Sequence, residues 1–322
     1  MNLFALIREP MPTIRPTDLL TEDHPDRSYP HKHPVRSSAW LRGGLFILLM
    51  VVGTFIFTSI YQAVNGSFNV SFTASAVTQL LAAIAAYAVV CFITESRVWP
   101  HEIALKRLGG LLKGMLLGVL LVSLSIGVLA ILGNYTITGF NSDYSPWMDL
   151  LTLGVVAAIS EEIMLRGILF RLVEEGLGSW GAVLISALVF GFMHILNPDA
   201  SLWGAIAISI EAGILFAGLY IITRSLWWCI GMHFAWNMTL GPVFGSIVSG
   251  TGAQESWLVS HWSGSDLLTG GIFGLEASII PVILLGALGI FLLIYAHISG
   301  LMTAPIWVRK QTLSGSTSGD QA

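Results

Sequence analysis

The chain has 322 residues, of which 54% are hydrophobic and only 11% are charged, and its formal net charge is -4 at pH 7. With a mean hydropathy of +0.77, it would expose too much apolar surface to stay dispersed in water, which excludes an ordinary soluble domain and indicates a polytopic membrane protein. The net charge says little about partners and gives no reason to expect a nucleic acid among them.

The two ends of the chain are predicted to be tails. Residues 1–42 are polar, rich in Pro and His, and lack helical or strand periodicity, which favours a disordered segment. His24, His31 and His33 invite a metal-site interpretation, but a His-Pro-Lys tail is more often simply solvated. Residues 300–322 are expected to form a second tail, so the predicted transmembrane domain covers 43–299.

Apolar runs of about 20 residues, the length that crosses a hydrocarbon core of about 30 Å, recur along this domain. They lie at roughly 43–65, 72–94, 111–133, 148–170, 180–197, 202–223, 226–248 and 276–299. The sequence therefore predicts an all-α transmembrane helix bundle of about eight spans. Cys91 and Cys229 lie within these runs and are interpreted as small buried hydrophobic residues rather than as a disulfide.

The distribution of positive charge predicts the orientation of the bundle. All 15 Lys and Arg residues fall on one side of this map, whereas the opposite connections, near 66–71, 134–147, 198–201 and 249–275, contain none. This is the positive-inside pattern, so both termini are expected in the cytoplasm. Short loops and the lack of organelle signals favour a multi-pass protein of a prokaryotic plasma membrane.

Charged residues in the middle of the fourth run require an explanation, because an ionisable group inside a bilayer costs at least a few kcal/mol. Glu162 and Arg166 are four residues apart and share a helix face, so each can offset the charge of the other. Glu161 points about 100° away from Glu162. A carboxylate without a partner on its own helix is suited to face a cavity and act as a general base toward water.

Further polar residues follow on later spans. His194 ends the fifth run, and His233 and Asn237 share one face of the seventh at i and i+4. Together with Glu161 they would form a hydrolytic site with a base for water, imidazoles as ligands or proton carriers, and an amide donor for an oxyanion. The competing interpretation is a polar network that serves packing alone.

Two further carboxylates are harder to interpret. Glu211, in the sixth run, could be a metal ligand, a partner that orients an imidazole, or a protonated interhelical donor, and the second of these is preferred. Glu276, at the start of the last run, is expected to cap the helix or lie at the membrane interface, as is His297 at its end.

Three motifs in chain order resemble a known family. Glu-Glu-x-x-x-Arg at 161–166, Phe-x-x-x-His at 190–194 and His-x-x-x-Asn at 233–237 are similar to those of the CPBP (Abi) family of intramembrane proteases, which includes the type II CAAX prenyl endopeptidases. The resemblance covers about 147–242, the predicted protease core. Each motif is weak alone, but the ordered set within membrane spans is specific.

The resemblance implies an intramembrane endopeptidase that cleaves a peptide or lipidated peptide near the bilayer. It implies Glu161 as the residue that activates water, His194 and His233 as its partners, and Asn237 as the stabiliser of the oxyanion, with Glu162 and Arg166 in support. The family is conventionally called a metalloprotease, so His194, His233 and Glu161 are also candidate ligands of Zn²⁺. A metal-free glutamate mechanism stays open.

Two other classes of function compete with proteolysis. A non-catalytic membrane protein with the same fold could bind or shield a partner, as in bacteriocin immunity. A transporter could use Glu211 and Glu276 as a proton relay, but no inverted repeat is evident. One geometric difficulty also stands: straight helices would put His194 nearer the far side of the bilayer than Glu161 and His233, unless the fifth helix tilts or starts near Ser179.

Overall fold

The computed structural model describes residues 38–66, 69–95, 97, 100–253 and 255–308. Most of the predicted N-terminal tail, including His24, His31 and His33, and the predicted C-terminal tail beyond residue 308 lie outside the described residues. The expectations for those segments stay predictions.

The described chain is a helix bundle with one two-stranded sheet, which confirms the predicted all-α membrane fold. The long helices are α1 (Ala39–Asn65), α2 (Phe72–Ala88, extended by the π-helical Val89–Thr94), α3 (Gly109–Ile131), α4 (147–177), α5 (179–193), α6 (Leu202–Thr223), α7 (Leu226–Met238, extended by the π-helical Thr239–Val243) and α8 (Ile279–Ile298). The antiparallel strands are β1 (Tyr135–Phe140) and β2 (Leu258–Trp262).

In the described residues, six helices are long and apolar enough to cross a membrane by length and composition. One of them is a stretch of 50 residues, Trp147–Leu196, that covers both the fourth and the fifth predicted spans. The stretch is broken at Gly178, whose φ of 74° lies in the left-handed region that favours glycine. Helix α4 therefore continues beyond the predicted end at residue 170, and α5 begins at Ser179.

Helix α7 lies at the centre of the bundle and packs closely on α3. The contact depends on small residues, because a Cβ atom at Gly114 would lie 2.8 Å from the backbone nitrogen of Met232, and one at Gly118 would lie 3.0 Å from that of Trp236. Close backbone approach of this kind is how helices pack in a bilayer. It fixes the helix that carries His233.

Buried ion pairs join the helices at one end of the bundle, which we call the arginine end. The pairs are Arg42–Glu95 (2.7 Å), Arg42–Glu175, Arg171–Glu95 (2.8 Å), Arg97–Glu102 (2.6 Å) and Arg224–Glu174 (2.5 Å). Each of these buried charges thus has a partner of opposite sign. Cys91 lies among these groups and Cys229 lies in the core, and both thiols are free and buried, as predicted.

The opposite end of the bundle is covered by the β1–β2 sheet and by connecting loops. The ring of Tyr135 packs edge-on against that of Trp262, with centroids 4.8 Å apart. Backbone hydrogen bonds from Asp199 to Gly250 (2.9 Å) and from Gly250 to Phe273 (2.8 Å) tie three connecting segments together. The candidate site lies in the bundle next to these loops.

Candidate active site

The two adjacent glutamates lie on a short α-helical segment of α4, Ala157–Glu162. It is flanked on both sides by π-helical segments, Leu150–Val156 and Ile163–Phe170. π-Helical turns inside α-helices are rare and occur frequently at functional sites. Helices α2, α6 and α7 also contain π-helical segments, so these turns do not by themselves distinguish the predicted catalytic carboxylate.

Glu162 is fully buried and is shared by two cationic or potentially cationic partners. Its Oε1 atom accepts a hydrogen bond from Nη1 of Arg166 (3.0 Å) and lies 3.1 Å from Nδ1 of His233. Because a carboxylate accepts hydrogen bonds, Nδ1 of His233 is the donor in this contact, and Nε2 is the ring nitrogen that faces Glu161. The predicted i,i+4 pair exists, and it also orients an imidazole from another helix.

Arg166 is held from its other side by aromatic rings. Its guanidinium carbon lies 4.9 Å from the ring centroid of Phe190 and 4.8 Å from that of Phe216. The rings stabilise the cation electrostatically, and they do so best where water is excluded. Arg166 itself is completely buried.

Glu161 faces a different environment from its neighbour. Its side chain is 21% exposed, and its Oε2 atom lies 3.9 Å from Nε2 of His233. That Oε2 atom is buried and has no hydrogen-bond partner among the described residues. Oε2 of Glu162 also lacks such a partner, so the exposure of Glu161 to the cavity is what distinguishes the two carboxylates.

His194 and Asn237 are each fixed by a backbone carbonyl. Nδ1 of His194 donates to the carbonyl of Phe190 (2.8 Å), which leaves Nε2 free, and Nδ2 of Asn237 donates to the carbonyl of Leu153 (2.9 Å). The ring of Phe190 contacts both imidazoles, with centroids 5.2 Å from His194 and 5.9 Å from His233. The two histidines therefore flank one aromatic ring.

A cavity of about 290 Å³ brings the four predicted catalytic residues together. It is lined by Glu161, His194, His233 and Asn237, by Ser75, Ala76 and Gln79 of α2, and by Asn197, Ser249 and Thr251 from the loops. Straight helices would put His194 at a different depth in the bilayer from Glu161 and His233, but in the structure all of these residues line one cavity. Because the helix is broken at Gly178, the direction of α5 is not set by that of α4, and each helix brings its own residues to the cavity.

The fit of these residues to a zinc ion can be tested on the side chains themselves. Among the residues that the structure describes, no group of three or more His, Cys, Asp and Glu side chains is arranged to hold a metal ion. Glu161 and His233 are close enough to share a ligand, but His194 does not complete a set of three with them in this structure. The residues as placed do not form a three-ligand zinc site.

Glu211, which the sequence suggested as a partner for an imidazole, lies elsewhere. It is 1% exposed, its Oε2 atom has no hydrogen-bond partner, and no hydrogen bond joins it to either histidine in the described part of the chain. Its side chain does not line the cavity that holds the four predicted catalytic residues.

Glu276 has a different place in the structure from the one that the sequence predicts. The expectation of an interfacial or capping residue is wrong, because Glu276 is only 5% exposed and accepts hydrogen bonds from Nε1 of Trp236 (3.0 Å) and Oγ of Ser249 (2.8 Å). Burial raises the pKa of Glu276, and the hydrogen bonds that Ser249 donates oppose this. Its Gly-rich surroundings carry no motif that links it to the other site residues.

The comparisons with known proteins agree with the three motifs. A family model described as "Type II CAAX prenyl endopeptidase Rce1-like" matches residues 143–239. These residues contain α4, α5, α6 and the α-helical part of α7, Leu226–Met238, and include Glu161, His194, His233 and Asn237. No curated protein and no solved structure matches the chain.

Proposed function

Residues 143–239 make this chain a member of the CAAX protease (CPBP) family, and we propose that it hydrolyses a peptide bond within or near the membrane by means of water activated by Glu161. The family and the apolar helices make it an integral, multi-pass membrane protein of the protease type. The observation that carries the mechanistic part is the partnerless Oε2 atom of Glu161, which faces His233 beside the cavity.

In the proposed reaction, Glu161 takes a proton from a water molecule in the cavity, and the water oxygen bonds to the carbonyl carbon of the substrate. The resulting oxyanion is stabilised by the amide of Asn237, whose second N–H is not used by the carbonyl of Leu153. The proton then passes to the leaving amine nitrogen as the C–N bond breaks. Nε2 of His233, 3.9 Å from Glu161, is a suitable carrier.

Glu162 and Arg166 support this chemistry without touching the substrate. Glu162 holds Nδ1 of His233 and thereby keeps Nε2 directed at Glu161. Arg166 neutralises Glu162, so the second carboxylate adds no net negative charge beside the first. A single uncompensated carboxylate, that of Glu161, is then left for reaction with water.

The position of the cavity supports a proposal for the substrate class. A cavity that lies among membrane-spanning helices and is lined in part by α2 suits a peptide segment held close to the bilayer, with or without a lipid group. The predicted location is a prokaryotic plasma membrane. Zn²⁺ also stays a prediction, and no step above is routed through it.

The test uses the full-length protein in liposomes with a fluorogenic peptide tethered to the membrane by a lipid anchor. We expect Glu161→Gln to abolish turnover in a protein that remains folded, and Glu255→Gln, a change at an exposed carboxylate, to leave turnover intact. A parallel series with a chelator, followed by added Zn²⁺, decides whether a metal is required. In cells, peptides that accumulate in a Glu161→Ala strain would identify the substrate.

The non-catalytic alternative makes the opposite prediction. If a Glu161→Gln, His194→Ala double variant still complemented a deletion strain, binding would replace hydrolysis as the function. Turnover retained by Glu161→Gln in liposomes would contradict the assignment of Glu161.

A further inference from the structure

We propose that Glu276 is a positioning residue that holds together the two parts of the site, one carrying His233 and Asn237 and the other carrying His194. The inference rests on the proposed function, because it concerns the same cavity. It goes beyond the three motifs, since Glu276 lies outside residues 143–239, which the family model matches.

One oxygen of Glu276 holds the helix that carries His233. Oε1 accepts a hydrogen bond from Nε1 of Trp236 at 3.0 Å, and both groups are buried. Trp236 directly precedes Asn237 on α7 and follows His233 by three residues. The bond therefore fixes the side of α7 from which these site residues project.

The other oxygen holds the loop next to His194. Oε2 accepts hydrogen bonds from the backbone N–H and from the Oγ atom of Ser249 (2.8 Å for Oγ). Ser249 has a φ of 49°, a left-handed conformation that is unfavourable for a residue other than glycine and persists only when its surroundings enforce it. Glu276 stabilises this conformation by accepting hydrogen bonds from two donors of Ser249, its backbone N–H and its Oγ hydroxyl.

From Ser249 the connection reaches His194 in two further hydrogen bonds. The carbonyl of Ser249 accepts from Nδ2 of Asn197 at 2.7 Å, and the backbone N–H of Asn197 donates to the carbonyl of His194 at 3.2 Å. Asn197 thus closes the turn that contains His194, and Ser249 fixes Asn197. Displacement of Ser249 would therefore be transmitted to the histidine.

A small cavity of about 20 Å³ lies between the two parts, lined in part by His194, His233, Asn237, Ser249 and Glu276. It has room for about one water molecule. The two histidines are thus separated by a gap, and the carboxylate of Glu276 lies at its wall. Besides the ring of Phe190, which contacts both imidazoles, hydrogen bonds through Glu276 join the two parts.

The hydrogen-bond count at Glu276 gives a sharp test. The carboxylate accepts from three donors, namely Nε1 of Trp236 and the N–H and Oγ of Ser249. A glutamine has one acceptor oxygen, so its NH₂ group must face either the indole N–H or the two donors of Ser249. Removing the indole donor by Trp236→Phe lets the glutamine oxygen turn to Ser249 without a conflict between donors.

We expect Glu276→Gln to lower kcat by about 10- to 100-fold, as is typical when a residue that orients catalytic groups is lost, with KM changed by less than about 3-fold. The double variant Glu276→Gln, Trp236→Phe should recover a substantial part of that loss, because the two changes act on one hydrogen bond. Glu255→Gln, an exposed carboxylate, is the matched control and should leave both constants unchanged.

A second measurement does not depend on turnover. Diethyl pyrocarbonate modifies accessible imidazoles, and mass spectrometry of the labelled protein in liposomes reports the rate at His194, which is half-buried. We expect the rate at His194 to change at least 3-fold in Glu276→Gln, to return toward the wild-type value in the double variant, and to stay constant in Glu255→Gln.

The outcomes separate the two proposals. Unchanged kcat and unchanged labelling in Glu276→Gln would overturn the positioning role, as would a loss of activity that tracks a fall in melting temperature and is not relieved by Trp236→Phe. If the wild-type protein cleaves no peptide, the proposed function fails, whereas the labelling of His194 still decides the role of Glu276.

Discussion

The Nε2 atom of His233 lies 3.9 Å from the Oε2 atom of Glu161. The opposite ring nitrogen is taken by Glu162, at 3.1 Å. One imidazole thus connects two adjacent carboxylates in different environments, since Glu162 is completely buried and Glu161 opens to the cavity. The two glutamates should respond differently to the same substitution.

Glu162→Gln should destabilise the protein much more than Glu161→Gln. It leaves the buried guanidinium of Arg166 without its anionic partner, and breaking a buried ion pair costs about 3–5 kcal/mol. Glu161→Gln removes no hydrogen bond from its Oε2 atom. Thermal unfolding of both variants in the same detergent measures the difference, and equal melting temperatures would contradict the division of roles.

Asn237→Ala should lower kcat by about 10²–10³-fold, the usual cost of losing one oxyanion donor, with little change in KM. A suitable control is Asn65→Ala, because the amide of Asn65 also donates to a backbone carbonyl, that of Tyr61 at 2.8 Å, but at an exposed position outside the site. Steady-state kinetics on the tethered peptide measure both. If kcat of Asn237→Ala equalled that of the control, the proposal that Asn237 stabilises the oxyanion would be contradicted.

Arg42→Ala should detach the first helix from the arginine end of the bundle. Arg42 is 1% exposed and pairs with Glu95 and Glu175, which keep Arg171 as a partner when Arg42 is lost, so the cost should lie below the roughly 3–5 kcal/mol of a buried charge left wholly unpaired. The exposed cation Lys106 provides the control, and Lys106→Ala should be nearly neutral. Limited proteolysis of the α1–α2 connection, together with melting temperatures, reports the effect. Equal behaviour of the two variants would disprove the anchoring role.

Low pH should lower the free energy of unfolding, because it protonates Glu102, which lies outside the spanning helices. Burial alone would raise the pKa of Glu102, but the charge and hydrogen bonds of Arg97 outweigh it and lower the pKa from 4.5 to about 2. Because the folded-state pKa lies below the unfolded one, the stabilisation is fully present above pH 4.5 and is lost as the pH falls toward 2. Its size is about 3 kcal/mol.

The measurement compares wild type with Glu102→Gln between pH 7 and pH 3. Glutamine does not titrate, so the difference in melting temperature between the two proteins should shrink as the pH falls. A difference that is constant over this range would show that Glu102 contributes no pH dependence.

Much of the fold could be predicted from sequence because its causes are local. A bilayer-spanning helix needs about 20 apolar residues, and each predicted run contains or overlaps a helix in the structure. The extent of α4 was harder to predict, because its end at Gly178 depends on one left-handed residue and on a hydrogen bond from Ser179 to Thr303, 124 residues away. Hydropathy contains no information on such a contact.

The same division applies to the candidate site. The sequence by itself determined which polar residues share a helix face, as in Glu162 with Arg166 and His233 with Asn237, since an α-helix returns to the same face every three or four residues. Only the tertiary structure decided that Glu162 contacts His233, 71 residues away, and that Glu276 joins Trp236 to Ser249. Those contacts depend on how separate helices and loops pack, and no helical period relates their residues.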